Sequence, residues 1–150
     1  MGSANIEGFF SGNRVPPEFD ILSIDIDGND YWVWTAILDW HPRVVVIEYN
    51  TSFPPPGSGS WAEDPGHTWD WTNYHGDSLG SLARLGRRKG YSLVATESRG
   101  VSAFFVSDDL VIEGQLLNPA AQFHYSASRH GPRGCGHPER DGLYLEINKS

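Results

Sequence analysis

Asp25, Asp27, Glu48 and Asn50 are the residues whose types and spacing could do chemistry together. Asp25 and Asp27 close an apolar run that begins at Leu22. Glu48 and Asn50 close a second run that begins at Val44. Three carboxylates and an amide gathered in one place repel one another unless a cation, protons or basic groups intervene. Oxygen ligands of this hardness suit Mg²⁺, Mn²⁺ or Ca²⁺, and an added imidazole would favour Zn²⁺ or Mn²⁺. A cation held there would polarise a carbonyl or phosphoryl oxygen and lower the pKa of its bound water. The implied reaction is metal-dependent hydrolysis of an ester or phosphoester. Asp25 would serve as metal ligand and catalytic carboxylate, and His75 or a free carboxylate as general base. His67 lies in the same stretch and could also reach the acids. A plainer reading stands beside this one. Acids at strand ends cap helices and build turns, the run Asp27 to Asp30 is good turn chemistry, and Asp30 reads as a helix N-cap.

The elements that must position these residues are legible in the period of the apolar pattern. Phe19 to Asp27 reads as a strand with Leu22, Ile24 and Ile26 on one face and Ser23, Asp25 and Asp27 on the other. Arg43 to Asn50 reads likewise, with Val45 and Ile47 opposed to Val44, Val46, Glu48 and Asn50. The segment from Asp30 to about Trp40 is long enough for a crossover helix, which predicts a parallel βαβ unit. Parallel neighbours bring all four candidate ligands to one edge of the sheet. In an open parallel sheet, ligands bind beyond the carboxyl ends of the strands.

The rest of the chain is uneven. Ile6 to Phe10 reads as one helical turn. Thr51 to Gly76 is a long Pro- and Gly-rich loop with Trp61, Trp69 and Trp71, expected either to pack onto the core or to wall the acidic site. Asp77 to Arg88 reads as a helix capped by Asp77 or Ser78, with Leu79, Leu82 and Leu85 on one stripe. Arg84, Arg87, Arg88 and Lys89 complement its C-terminal dipole, and a phosphate-binding role for them stays open. Tyr91 to Thr96 and Val101 to Val106 read as a hairpin around Glu97 to Gly100. The tail from about 110 to 150 is weakly patterned, with a short last strand expected at Leu143 to Ile147. His41 should lie at the end of the sheet away from the acids. His130, Cys135 and His137 offer zinc-type ligands at a spacing that matches no standard finger.

Bulk properties narrow the partners. A chain of 150 residues is one domain, with its core at about 17–110. A net charge of −8 argues against nucleic acid or an anionic membrane as partner and favours cations. A small-molecule substrate is the expected partner. One cysteine excludes an internal disulfide framework. There is no apolar run of transmembrane length and no signal-peptide pattern at the N-terminus, so a cytoplasmic location is expected.

The runs Pro17 to Tyr31 and Arg43 to Asn50 resemble the C-terminal half of FkbM-like, class I S-adenosylmethionine-dependent methyltransferases. That family carries an Ile-Asp-x-Glu/Asp-Gly-x-Asp/Glu run at the end of its fourth strand and a further acid at the end of the fifth. The resemblance covers roughly residues 5–110. It implies an α/β fold: a partial Rossmann-like, methyltransferase-type sheet in which the later helix and hairpin stand for the sixth and antiparallel seventh strands. Related metal-dependent members hold Mg²⁺ with acids and an amide at these two strand ends. By that likeness Asp25 or Asp27, with Glu48 and Asn50, would be the ligands. The family's glycine-rich cofactor turn has no counterpart here, so S-adenosylmethionine is not expected as a cofactor of this chain alone. The absent strands predict an open sheet edge and a homodimer through it. Two other functions follow as alternatives: the acceptor-side portion of a methyltransferase, and a non-catalytic metal-binding or dimeric interaction module.

Overall fold

The computed structural model describes residues 3–54, 56–112, 138, 140 and 142–146. Its elements run α1 (Ile6–Gly12), β1 (Glu18–Ile24), α2 (Asp30–Ala36), β2 (His41–Glu48), β3 (Gly59–Trp61), α3 (Leu79–Arg88), β4 (Tyr91–Thr96), β5 (Ser102–Ser107) and β6 (Tyr144–Glu146). The architecture is mixed α/β. A four-stranded sheet has the order β1-β2-β5-β4, and β3 pairs with β6 in a separate two-stranded sheet.

The predicted βαβ unit is present. β1 and β2 pair in parallel, with Leu22 opposite Val45 and Ile24 opposite Ile47. The alternation follows from burial of one face: Ile24, Val45 and Ile47 are buried, whereas Ile21 is exposed. β5 runs antiparallel to both β2 and β4. The β4–β5 turn closes as predicted, with Glu97 N–H donating to the Ser102 carbonyl and Gly100 at φ +71°.

α3 begins where Ser78 accepts the Ser81 N–H at 3.1 Å. Its Leu79, Leu82 and Leu85 are all buried. Each such burial contributes roughly 1.5–3 kcal/mol. That outweighs the ~1 kcal/mol a helical glycine costs relative to alanine, so the helix tolerates Gly80 and Gly86. Gly86 has a packing reason as well, because a Cβ there would lie 2.8 Å from Phe105 Cδ1. Trp34 of α2 completes the core, with its ring 5.0 Å from Phe105 and 5.9 Å from Tyr91.

Several boundaries differ from expectation; α2, for one, ends at Ala36 rather than near Trp40. β1 stops at Ile24 rather than Asp27, because the chain is pulled into a turn around the Asp30 carboxylate. β2 ends at Glu48; beyond it, Tyr49 N–H donates to the Val101 carbonyl and Asn50 N–H to that of Asp77. The long segment from Thr51 to Gly76 is not free of regular structure, since it contains β3. The expected last strand is the partner of β3, at Tyr144–Glu146. His130, Cys135 and His137 lie outside the described residues.

Candidate metal centre

Asp25 and Asp27 are carried by a turn that Asp30 organises. Asp30 Oδ1 accepts the Ile26 N–H at 3.1 Å and Oδ2 accepts the Gly28 N–H at 3.0 Å. The expected N-cap role is thus replaced: Asn29 occupies the cap position, and the Asp30 side chain points back to fold the turn. Asp27 sits at φ +57°, a conformation that aspartate tolerates better than most residues. Gly28 sits at φ +157°. Asp30 is 1 % exposed, and burial lifts its carboxyl to about 6 against the lowering effect of the Gly28 and Ile26 N–H groups.

The parallel register carries Glu48 to the same edge. Asp25, Asp27 and Glu48 each offer one oxygen, and these oxygens all lie within 4.8 Å of one another. Asp25 and Asp27 are exposed, whereas Glu48 is half-buried. Glu48 Oε2 is buried without a hydrogen-bond partner. Burial, with further contributions from Asp30, Asp25, Asp27 and Asp77, pushes the Glu48 carboxyl up to about 8. Burial and the neighbouring Asp27 raise Asp25 as well. Such a site has open oxygen ligands on the solvent side and a desolvated one beneath. A divalent cation would relieve the repulsion that protonation of Glu48 otherwise relieves.

Asn50, the expected amide ligand, has a different duty. It is 1 % exposed; its Nδ2 donates to the carbonyls of Asn73 (2.9 Å) and His75 (2.5 Å), and its Oδ1 accepts the Ser52 N–H at 2.8 Å. The side chain clamps the neck of the 51–76 loop. His75, the expected base, is buried, packs 5.6 Å from the Trp69 ring and does not belong to the three-acid group.

The histidine that does reach the acidic turn is His67. A Cβ on Gly28 would lie 2.7 Å from His67 Cδ2 and 3.1 Å from Nε2, so the imidazole occupies the space this glycine leaves. His67 Nε2 is buried without a hydrogen-bond partner. The ring also packs against Trp61, centroids 4.4 Å apart. Segment 61–67 is docked by specific bonds. Asn29 Nδ2 donates to the Asp64 carbonyl at 2.7 Å, Asp64 N–H returns to Asn29 Oδ1 at 3.0 Å, and Trp32 Nε1 donates to the Trp61 carbonyl at 2.8 Å. Of the tryptophans, Trp61 is buried beside the turn, whereas Trp71 is 71 % exposed and packs on Trp69.

Sequence reasoning missed Asp77. Of the two cap candidates the sequence offers for α3, Asp77 and Ser78, the cap is Ser78. The Asp77 carboxylate instead accepts the Tyr31 N–H in the first turn of α2 at 3.0 Å and the Ser60 hydroxyl at 2.5 Å. It is fully buried, and desolvation lifts it to about 7 despite these bonds. No local signal marks this contact, since Asp77 and Tyr31 are far apart in the chain. The basic end of α3 also has partners: Arg88 Nη2 donates to the Tyr31 hydroxyl and Lys89 Nζ to the Ile37 carbonyl. A cavity of about 370 Å³ lies at the opposite edge, lined in part by Glu18, His41, Arg43 and Asp109. Its place at the start of β2 confirms His41 as remote from the acids.

No protein-family model, curated protein or solved structure matches the chain. The candidate centre therefore stands on its own geometry.

Proposed function

We propose that this protein binds a divalent cation through Asp25, Asp27 and Glu48 and uses it to hydrolyse an ester or phosphoester. The observation that carries the reading is the convergence of three carboxylate oxygens within 4.8 Å, one of them from Glu48, whose Oε2 is buried without a hydrogen-bond partner. Chemically, the cation would supply Lewis acidity and an activated water. The chain would hold the ion with its carboxylates, exclude solvent on the Trp61 and His67 side, and offer the His67 imidazole to take up a proton. Mn²⁺ titration by calorimetry, with metal content by elemental analysis, tests binding. Stoichiometric uptake that disappears in Asp25→Ala and Glu48→Gln supports it, and equal uptake by all three proteins counts against it. Chelator-sensitive turnover of an aryl ester or phosphoester then separates a hydrolase from a non-catalytic metal-binding module.

A second reading draws on the sheet. β5 lies antiparallel between β2 and β4, after a helix-preceded β4. An antiparallel last strand of this kind is what the methyltransferase resemblance implies, and it supports a Rossmann-like scaffold acting as the acceptor-side portion of such an enzyme. Saturable binding of S-adenosylmethionine by the isolated chain would move this reading ahead of the first.

A further inference from the structure

We propose that the edge of β1 left unpaired among the described residues pairs antiparallel with the same edge of a second copy, so that the protein is a two-fold homodimer. Among the described strands the four-stranded sheet ends in β1 on one side and β4 on the other. The two edges differ. β4 carries a register shift between Leu93 and Ala95, an irregularity that blunts an edge against further pairing. β1 is seven residues long, pairs regularly with β2, and contains no proline, no bulge and no lysine; its charges are Glu18 and Asp20. At its centre Ile21 is 62 % exposed.

The residues of β1 select one register for a second copy. An antiparallel two-fold pairing centred on Ile21 uses the whole strand. It places Ile21 opposite Ile21, Asp20 opposite Leu22, Phe19 opposite Ser23 and Glu18 opposite Ile24. No like charges face each other directly, and the exposed isoleucines cover one another. Moving the centre to Asp20 would set two aspartates face to face, which destabilises a cross-strand pair. Asp20 also has a counter-ion in its own chain, with Arg43 Nη1 at 3.2 Å from Oδ1. The interface is isologous and consumes the unprotected edge of both copies, so assembly closes at two.

Light scattering at micromolar concentration reads the mass. Twice the 16.7 kDa chain mass is expected, and a monomer overturns the proposal. Ile21→Lys, at a solvent-facing position, should give a folded monomer by circular dichroism and scattering; a folded dimer overturns it. Ile21→Cys in a Cys135→Ser background tests the register itself. Directly opposed residues of an antiparallel pair have Cα atoms about 4.5–5.5 Å apart, inside the range a disulfide spans. Oxidation should therefore cross-link this variant completely as a dimer, and failure to cross-link excludes the Ile21-centred pairing.

Discussion

Glu48 is the residue on which the candidate centre turns. Burial, with four neighbouring acids, disfavours its charge and pushes its carboxyl up to about 8. A group whose folded pKa is raised contributes stability that is intact below the unfolded value, near 4, and is lost as pH rises through the folded value. Glu48→Gln mimics the protonated form. In urea unfolding the variant should match the parent near pH 4 and exceed it by a margin that grows up to about pH 8, since such a carboxyl costs up to ~1.4 kcal/mol per pH unit between its unfolded and folded values. Equal stabilities at pH 9 would refute the desolvated carboxyl. Gly28 is the second decisive residue. Gly28→Ala introduces a Cβ 2.7 Å from the His67 ring at a φ of +157°, so a loss of roughly 1–3 kcal/mol is expected from strain at such a position. Displacement of His67 should appear as a changed tryptophan emission, because its ring lies against Trp61.

At the scale of elements, α2 and β3 depend on Asp77. One carboxylate accepts from the first turn of α2 and from Ser60 of β3. Asp77→Ala leaves the buried Tyr31 N–H without its acceptor and the Ser60 hydroxyl with only the Trp61 carbonyl, an expected cost of roughly 1–3 kcal/mol. Asp77→Asn keeps one acceptor oxygen and should lose less; the order of the two variants in thermal unfolding checks the assignment. Most of the regular elements could be read from the sequence, because α3, β2, β4 and β5 each bury one periodic face. β3 could not. It has three residues, Gly-Ser-Trp, and its partner β6 lies more than eighty residues later. The Asp25 to Asp27 stretch reads as strand and leaves it in the structure, whereas Asp27 to Asp30 was legible as a turn. That Asp30 folds it from within, rather than capping the helix, depends on which backbone N–H groups come within reach after folding.

The whole molecule concentrates negative charge at one end of its parallel strands. Asp30 and Asp77 have pKa values raised to about 6 and about 7, and Glu48 to about 8. All three shifts have the same sign, so metal-free stability should fall between about pH 4 and pH 8, most steeply below pH 6 where all three contribute, by up to ~1.4 kcal/mol per pH unit for each carboxyl. A divalent cation bound at Asp25, Asp27 and Glu48 should flatten that profile, because ligand binding to the folded state adds stability where the ligands are ionised. Unfolding curves with chelator and with Mn²⁺ across this range check both statements. A profile that rises with pH in chelator would contradict the buried-acid account.

By itself the sequence determined the parallel βαβ unit, the leucine stripe of α3, the hairpin and the edge to which Asp25, Asp27 and Glu48 belong. Those follow from the periods of strand and helix, which place side chains on faces without reference to distant residues. Only the tertiary structure decided that Asn50 clamps a loop, that His67 rather than His75 lies on the acidic turn, and that Asp77 serves α2 and β3. Each of these depends on how the 51–76 loop docks across the strand ends. That docking is fixed by hydrogen bonds between residues far apart in the chain, and no local period encodes them.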